Sequence, residues 1–191
     1  MKKIGIFGGA FDPPHIGHFL IAQDVYEKLE LNELYFLVSY RPPHRQTKAE
    51  FEDRLKMVEL MLSGSPFYVS DFESKLKFAP TYTVLVLNEW KKRKKDEELY
   101  FIMGLDQFLN LDKWYEYQTL FELSKVVVCK RQKCEIKEIA CYKEKVIFLD
   151  TRIVELSSKE IRARIREGKS VHLMVHPEVE NFINEKGLYL K

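Results

Sequence analysis

The chain has few cysteines and no long apolar run. Its three cysteines show no Cys-x-x-Cys spacing, so neither a disulfide framework nor a zinc site is indicated, and Cys129 ends an apolar run typical of a core thiol. No apolar stretch approaches the ~20 residues that a membrane-spanning helix needs. The start Met1-Lys2-Lys3 leads into a strand-like segment and not into the apolar core of a signal peptide. We therefore expect a cytoplasmic protein that does not associate with membranes.

The chain also lacks an excess of charge of either sign. Its 31 basic residues nearly balance 29 acidic ones, which leaves a net charge of +2. This balance argues against nucleic acid as an obligate partner, because binding to a phosphate backbone relies on an excess of lysine and arginine. Hydrophobic residues make up 46% of the 191 residues, enough for a full core. We expect a single domain over residues 1–191, with a helical C-terminal portion over about 155–191.

Strand-like and helix-like segments alternate along the chain. The strand-like segments are short and almost continuously apolar, and they cover residues 2–7, 34–38, 67–69, 99–103, 126–128 and 146–148. Parallel strands that are buried on both faces have this composition, and the segments between them show helical periodicity. The pattern predicts an α/β fold with a doubly wound (Rossmann-like) parallel sheet and helices on both faces. In such sheets the ligand crevice lies outside the carboxyl ends of the strands.

Local signals predict where several helices begin and end. The segments Thr47–Glu50 and Ser157–Glu160 have the spacing of capping boxes, which open helices. The pair His176-Pro177 predicts a further helix start, because proline is favoured in the first turn. Gly187 predicts the end of that helix.

The most informative segment runs from the first strand into the first helix. It reads Gly8-Gly9-Ala10-Phe11-Asp12-Pro13-Pro14-His15-Ile16-Gly17-His18. Glycine lets the backbone approach a ligand closely, and a helix N-terminus favours phosphate through its free N–H groups and its dipole. Two imidazoles there can hydrogen-bond phosphate oxygens and stabilise the charge that builds on them. The segment therefore predicts a nucleotide site that acts on an α-phosphate.

A second segment, near the C-terminus, offers related chemistry. Ser157 is predicted to cap a helix whose first N–H groups face outward, and Arg162 follows one turn later. A phosphate bound at that helix end lies within reach of the guanidinium. Taken alone, the segment is typical of an ordinary capped helix.

Together the two segments resemble the motifs of one superfamily. The first is similar to the Gly-Gly-x-Phe-Asp-Pro-x-His-x-Gly-His signature of the nucleotidylyltransferases, a superfamily that includes the class I aminoacyl-tRNA synthetases. The second is similar to their Ile-Ser-Ser-x-x-Ile-Arg motif, with Leu156 in place of the first isoleucine. Five further segments occur in the order typical of bacterial nicotinate-nucleotide adenylyltransferases, so that the resemblance spans nearly the whole chain: Pro42–Arg45, Pro80–Thr83, Gly104–Asp106, Trp114–Tyr117 and Phe182–Tyr189.

The resemblance implies a reaction and a site. The implied substrates are ATP and nicotinate mononucleotide, the products are nicotinate adenine dinucleotide and pyrophosphate, and Mg²⁺ bridges the ATP phosphates without a metal ligand from the protein. The catalytic residues are then His15, His18 and Arg162. The ATP-binding residues are Gly8, Gly9, Phe11, His15, His18, Gly104, Asp106, Ser157, Ser158 and Arg162. The mononucleotide-binding residues are Ala10, Phe11, Asp12, His44, Arg45, Thr83, Trp114 and Tyr115.

Several of these assignments have a physical reason of their own. The Trp114 indole offers a flat partner for a pyridine ring. Backbone N–H groups around Trp114 and Tyr115, together with Thr83, can donate to the nicotinate carboxylate. Arg45 is placed to meet phosphate charge, and Asp106 is placed to accept from ribose hydroxyls.

Alternatives remain open at this point. The chain departs from the family pattern at Ser39–Arg41, where an asparagine usually precedes Pro-Pro-His, and at Arg131–Lys133, where Arg-Pro-Gly is common. An adenylyl- or cytidylyltransferase for another phosphate acceptor would share both phosphate motifs. A nucleotide sensor without turnover would share the fold, although it need not keep both histidines, and a tRNA-synthetase-like fragment is disfavoured by the balanced charge. The sequence sets neither the preference for nicotinate over nicotinamide nor the oligomeric state, monomer or homodimer.

Overall fold

One parallel sheet forms the centre of the molecule. The computed structural model describes residues 1–43, 46–76, 80–94, 96–130, 145–152 and 154–191. Its strands are β1 (Lys2–Gly9), β2 (Glu33–Val38), β3 (Tyr68–Ser70), β4 (Glu97–Gly104), β5 (Lys125–Lys130) and β6 (Val146–Asp150). They are all parallel and lie in the order β3-β2-β1-β4-β5-β6, which reverses direction between β1 and β4. The predicted doubly wound sheet is confirmed.

Helices cover both faces of this sheet. They are α1 (Ile16–Lys28), α2 (Phe51–Met61), α3 (Thr83–Arg93), α4 (Leu105–Phe108), α5 (Leu120–Leu123), α6 (Ser158–Arg166) and α7 (Pro177–Lys186). Phe36, Ile102 and the predicted core thiol of Cys129 belong to the core under α1, α2, α6 and α7. Their neighbours Leu37 and Met103 belong to the core under α3, α4 and α5. Because successive strand residues point to opposite faces and both are covered, the strands read as continuous apolar runs.

Two predicted helix starts and one predicted end are confirmed. The Ser157 hydroxyl caps α6 by accepting from the Glu160 N–H at 3.2 Å. His176 and Pro177 open α7, and Gly187 ends it with φ at +63°, a conformation that glycine adopts without strain.

The helix start predicted at Thr47 is wrong. Helix α2 begins at Phe51, with Glu50 in the N-cap position. The backbone just before α2 forms hydrogen bonds outside the helix, because the N–H groups of Lys48 and Ala49 donate to the carboxylate of Asp12 at 2.6 and 3.1 Å. A contact with the first motif therefore outweighs the local capping signal.

The C-terminal helices pack onto the same core as α1 and α2. Ile161 of α6 and Val179 and Ile183 of α7 are almost completely buried in it. After α7 the chain returns to the first motif, where the Tyr189 hydroxyl donates to Asp12 at 2.8 Å. Within the described ranges, no helix combines the length and the apolar character needed to cross a membrane.

Candidate active site

The candidate site lies where the strand order reverses. β1 and β4 are neighbours in the sheet, and after their carboxyl ends the chain continues into α1 and α4 on opposite faces. Doubly wound folds bind nucleotides in the crevice between two such strands. The first motif follows β1 and Gly104 ends β4, so both lie at this edge of the sheet.

The two histidines of the first motif lie together at the N-terminus of α1. Their ring centroids are 3.7 Å apart and their planes are inclined by 30°. His15 is 2% exposed, whereas His18 is half-buried. The His15 backbone N–H donates to Nδ1 of His18 at 3.2 Å. Because Nδ1 accepts, a neutral His18 carries its proton on Nε2, the nitrogen that can then donate to a phosphate oxygen.

At two glycine positions of the motif, neighbouring aromatic rings leave no room for a side chain. A Cβ on Gly17 would lie 3.0 Å from Nδ1 of His15, and a Cβ on Gly9 would lie 2.9 Å from the Phe11 ring. The Phe11 ring in turn meets His18 edge-on, with 5.1 Å between the centroids. A side chain at either glycine would displace a ring in a close-packed layer and move the histidines with it.

Phe11 supports the site from the core. Its side chain is 3% exposed and packs against Phe7 and Phe36, with ring centroids 5.8 and 5.4 Å away. Its φ of +49° lies in the left-handed region, which residues other than glycine seldom adopt and which often marks functional turns. Because the ring faces the core and His18, the contact of Phe11 with the two substrates stays a prediction that its backbone would have to fulfil.

Helix α6 brings the second motif against the first. The Ser158 hydroxyl donates to the carbonyl of Pro13 at 2.8 Å, and the Arg162 guanidinium donates to the carbonyl of Asp12 at 2.5 Å. The N-termini of α1 and α6 therefore meet at the turn that follows β1. Two positive helix ends, a guanidinium and two imidazoles on one turn suit the negative charge of a polyphosphate.

Asp12 holds this turn from inside the protein. It is 6% exposed, and its carboxylate accepts from the N–H groups of Lys48 and Ala49 and from the Tyr189 hydroxyl. Burial and the adjacent Asp12 charge raise the pKa of Tyr189, which keeps the phenol protonated as a donor. Both oxygens of the Asp12 carboxylate are engaged within the protein, so the role of Asp12 toward the mononucleotide stays a prediction that its backbone would have to fulfil.

A cavity of about 410 Å³ opens beside the glycines of β1. It brings together predicted site residues that are far apart in the sequence: Gly8, Gly9, Ala10, Thr83, Asp106, Trp114 and Tyr115. Further parts of its wall come from Pro42, Pro43, Glu73, Thr81 and Tyr82. A volume of a few hundred Å³ with a mixed apolar and polar lining is typical of sites for small molecules.

Aromatic side chains form one wall of this cavity. Trp114 is half-buried beside Phe101, with 6.4 Å between the centroids. Tyr115 is 46% exposed and stacks on Tyr82 at 4.7 Å. The backbone N–H of Trp114 donates to the carbonyl of Leu111 at 3.0 Å. The role of the backbone N–H groups around Trp114 and Tyr115 toward a substrate carboxylate stays a prediction.

Helix α3 begins at the same cavity. Tyr82 is its N-cap residue and Thr83 is its first residue, and both line the cavity. The first N–H groups and the positive dipole end of a helix favour an anion. The negative end of a ligand bound here therefore has a suitable place near Thr83.

Arg54 is a buried charge beside the site and is not among the residues predicted from the sequence. It is 1% exposed, and its guanidinium donates to the carbonyls of Ala10 and Ser39, each at 2.8 Å. It thereby joins the ends of β1 and β2, and burial lowers its pKa. One signal could have found it, because Arg54 shares the apolar face of α2 with Phe51 and Val58.

Glu73 is a second missed residue. It lies on the 3₁₀ turn Phe72–Lys75, is 5% exposed, and borders the 410 Å³ cavity. Burial raises the pKa of its carboxyl to about 6, against the opposing effect of hydrogen bonds from Thr81 and Tyr40. No spacing in the sequence marks this residue.

Some predicted residues lie outside the described part of the chain. They are His44 and Arg45, which the resemblance assigns to the mononucleotide, and the segment Arg131–Lys133 with Cys134 and Cys141. A second groove, of about 500 Å³, lies among α1, the end of α2 and the segment before α7. None of the predicted site residues lines this groove. Although it is larger than the cavity of about 410 Å³, we do not assign it to the active site.

The sequence is similar to those of known proteins. Residues 6–164 match the family described as Cytidylyltransferase-like. A protein of Caldicellulosiruptor saccharolyticus named "Probable nicotinate-nucleotide adenylyltransferase" is 38% identical, and the match covers 98% of each chain. A protein of Hydrogenobaculum sp. with the same name is also 38% identical, again over 98% of each chain.

The fold is similar to that of a solved structure as well. The "Plasmodium falciparum nicotinic acid mononucleotide adenylyltransferase complexed with NaAD" matches with a TM-score of 0.82 and 21% identity, over 99% of this chain and 98% of that one. At that identity the likeness shows a shared fold. The family match and the near-complete coverage of the two relatives show more: the chain belongs to the nicotinate-nucleotide adenylyltransferase family of the cytidylyltransferase-like proteins.

Proposed function

We propose that the protein transfers the adenylyl group of ATP to nicotinate mononucleotide, forming nicotinate adenine dinucleotide and pyrophosphate on the way to NAD. One observation carries the proposal: Ser158 and Arg162 hydrogen-bond to the turn that places His15 and His18. The glycines before that turn border the cavity with the aromatic wall. A site for phosphates thus adjoins a site for a ring, and two relatives at 38% identity are named for this activity.

The reaction needs positioning and charge stabilisation. The 5′-phosphate of the mononucleotide attacks the α-phosphorus of ATP, a new O–P bond forms, and the bond to pyrophosphate breaks. The attacking phosphate is already ionised, so no nucleophilic side chain or general base is required. We assign the stabilisation of charge on the α-phosphate to His15 and His18, with His18 donating from Nε2.

The second motif is proposed to hold the β- and γ-phosphates. Ser157 and Ser158 stand at the N-terminus of α6, and Arg162 follows on the same helix. The contact between Arg162 and the Asp12 carbonyl engages one nitrogen of a guanidinium that carries five N–H donors. Gly8 and Gly9 let the nucleotide approach the backbone of β1 closely.

The cavity is proposed to hold the mononucleotide. The pyridine ring stacks on Trp114, and its carboxylate lies toward Thr83 at the N-terminus of α3, with Tyr115 beside it. Ala10 and the backbone of Phe11 border the phosphate end, where His44 and Arg45 are expected to contribute. Asp106 was expected at the ATP ribose, and it lines this cavity together with Trp114. We therefore assign Asp106 and the preceding Gly104 to the boundary between the two nucleotides.

Mg²⁺ is proposed as the cofactor, carried by the substrate. In the part of the chain that the structure describes, no group of three or more His, Cys, Asp or Glu side chains is arranged to hold a metal ion. The Asp12 carboxylate lies at the turn where both helix N-termini meet, and its oxygens are engaged inside the protein. These residues do not fit a dedicated protein site for the metal. Phosphate and water oxygens suit Mg²⁺, which would neutralise the charge of the leaving pyrophosphate.

We also propose a cytoplasmic enzyme that acts as a monomer or homodimer without a nucleic-acid partner. Both substrates are small and soluble, and the 31 basic residues of the chain are nearly balanced by 29 acidic ones.

Pyrophosphate release from ATP and Mg²⁺ tests the proposal. Nicotinate mononucleotide, its amide counterpart and phosphopantetheine are compared as acceptors, with the His18→Ala protein as a blank. We expect rapid release with the acid form, slower release with the amide, and none with phosphopantetheine. Absence of release with both pyridine nucleotides would overturn the proposal.

A further inference from the structure

Glu73 is a buried carboxylate that the proposed reaction does not use. It is 5% exposed and borders the cavity of about 410 Å³. Taking a carboxylate out of water is costly unless the group is well hydrogen-bonded. Adenylyl transfer to an ionised phosphate calls for no general base, so the chemical step does not account for this residue.

Both hydrogen-bond partners of Glu73 belong to segments that form the cavity wall. Its Oε2 accepts from the backbone N–H of Tyr40 at 2.9 Å, in the segment that follows β2. The hydroxyl of Thr81, just before α3, also hydrogen-bonds to its carboxylate. Tyr40 and Thr81 are distant in the chain, so Glu73 joins two segments that the sequence keeps apart.

Further hydrogen bonds close the same junction. The Thr81 N–H donates to the Arg41 carbonyl at 3.2 Å. The Thr81 hydroxyl lies 3.3 Å from the same carbonyl, so its single proton is shared between that oxygen and the Glu73 carboxylate. The Arg41 N–H donates to the Thr81 hydroxyl oxygen at 3.3 Å. We call Tyr40, Arg41, Glu73 and Thr81 the Glu73 network. The charge of the Arg54 guanidinium lowers the pKa of the Glu73 carboxyl, which favours the ionised form and therefore its role as an acceptor.

The Glu73 network lies between two walls of the cavity. Pro42 and Pro43 follow Arg41 and line one side, whereas Tyr82 and Thr83 follow Thr81 and line the other. Thr83 also starts α3, whose N-terminus is the proposed partner of the nicotinate carboxylate. Any change at the junction therefore moves the wall around the ring and the helix end together.

We propose that Glu73 is a positioning residue for the mononucleotide, because it holds the segments Tyr40–Pro43 and Thr81–Thr83 at the separation that the pyridine ring requires. This inference rests on the proposed function and names a residue outside both phosphate motifs. The contacts of Ser158 and Arg162 are made to the turn after β1 and include no member of the Glu73 network. The effect of Glu73 therefore falls on the mononucleotide and spares ATP.

Steady-state kinetics of two variants test the inference, with each substrate varied while the other is saturating. Glu73→Ala removes both hydrogen bonds, and we expect it to raise the KM for nicotinate mononucleotide ~10-fold, the scale of one or two lost buried hydrogen bonds. The KM for ATP should stay within about twofold. Glu73→Gln keeps an oxygen that accepts from Tyr40 and an N–H that can donate to Thr81, so its KM values should stay within about threefold of wild type.

Two further variants serve as a second probe and a matched control. Thr81→Val keeps the side-chain shape, removes the hydroxyl, and should raise the same KM. The double variant Glu73→Ala/Thr81→Val should raise the KM for nicotinate mononucleotide by less than the product of the two single effects, because both changes act on one junction. Glu98 also binds two side chains, Tyr100 and Lys125, but near the start of β4 and away from the cavity. Glu98→Ala should leave both KM values unchanged.

The outcomes separate the inference from the proposed function. An equal rise in both KM values, or a loss of thermal stability with neither KM changed, would show that Glu73 only stabilises the fold. Failure of Glu73→Gln to restore the KM would also overturn the role in positioning. If Glu73→Ala does not fold, the KM values of Thr81→Val for the two substrates distinguish a positioning role from a purely structural one. A wild-type protein that does not turn over nicotinate mononucleotide would overturn the proposed function, and the inference with it.

Discussion

The two halves of the cleft are held together in different ways. The phosphate half joins two helix N-termini through direct hydrogen bonds from Ser158 and Arg162 to the turn after β1. The base half takes its wall from segments spread over much of the chain, and Glu73 ties two of them together. A few donors at fixed positions are enough to stabilise charge, whereas a ring needs a shaped wall.

Because the two halves are built differently, substitutions in them should affect different kinetic parameters. Changes in the phosphate half should act on the chemical step or on ATP, because its donors are the groups that we propose to contact the phosphates of ATP. Changes in the base half should act on binding of the mononucleotide, because its side chains shape a cavity. A variant in one half should therefore leave the kinetic parameters of the other half's substrate nearly unchanged.

His18→Ala should produce the largest effect. Removing one donor to the transition state lowers kcat by ~10²–10³-fold, with much smaller changes in either KM. Steady-state kinetics on the folded variant measure this. His172→Ala is the control, since His172 is exposed and contacts Glu180 on the surface. A near-normal kcat for His18→Ala would remove His18 from the mechanism.

Trp114→Ala should act on the other half. Loss of a stacking partner should raise the KM for nicotinate mononucleotide by ~10–100-fold, the scale of a ring stacked on an aromatic side chain, and leave the KM for ATP nearly unchanged. Trp90→Phe is the matched control, because Trp90 packs against Tyr35 and Phe72 and does not line the cavity. Equal losses for both substrates in Trp114→Ala would mean that Trp114 is structural.

Glu73 should make the stability of the fold depend on pH. Its pKa is about 6 in the folded protein against an ordinary 4.5, so the folded state holds the proton more tightly. The protonated carboxyl therefore stabilises the fold fully below pH 4.5, and this stabilisation is lost as the pH rises through about 6. Relative to Glu73→Gln, the free energy of unfolding of the wild type should fall by about 2 kcal/mol over this range. Urea unfolding of both proteins between pH 4 and 7.5 measures the difference.

Glu98 supplies the opposite case for that experiment. The hydrogen bond from Lys125 holds the pKa of Glu98 below its ordinary value. The stabilisation is therefore present above the ordinary pKa and is lost as the pH falls. Relative to Glu98→Gln, wild-type stability should rise with pH, and the same direction for both glutamates would contradict the account of Glu73.

Tyr189→Phe should have the smallest effect. The variant loses the hydrogen bond to the Asp12 carboxylate and should lower the free energy of unfolding by ~1.5 kcal/mol, with kcat almost unchanged. Denaturant titration measures it against Tyr68→Phe, a control at a tyrosine that is 47% exposed. A large fall in kcat would show that the phosphate half depends on the C-terminal turn more closely than the hydrogen bonds suggest.

The sequence predicted the elements whose causes are local. Alternating apolar strands and helical periodicity predicted the sheet and its layers, and the cap at Ser157 was predicted because its hydroxyl bonds a residue in the same turn. Close spacing likewise brought His15 and His18 together on one turn of α1.

Features that depend on contacts between residues far apart in the sequence were not predictable. The capping box at Thr47 failed because the N–H groups of Lys48 and Ala49 donate to Asp12, far away in the chain. Glu73 reads as an ordinary surface charge until the fold buries it between two walls of the cavity. Asp12 was assigned to a ligand by its motif, yet a motif does not show which way its side chains face.

The most direct test of these two halves is calorimetric titration of the variants Trp114→Ala and Arg162→Ala. Each variant is titrated with two ligands: a non-hydrolysable ATP analogue in the presence of Mg²⁺, and nicotinate mononucleotide. The account predicts a crossed result: Trp114→Ala loses affinity for the mononucleotide and keeps the nucleotide triphosphate, whereas Arg162→Ala does the reverse. Parallel losses of both ligands in both variants would contradict it.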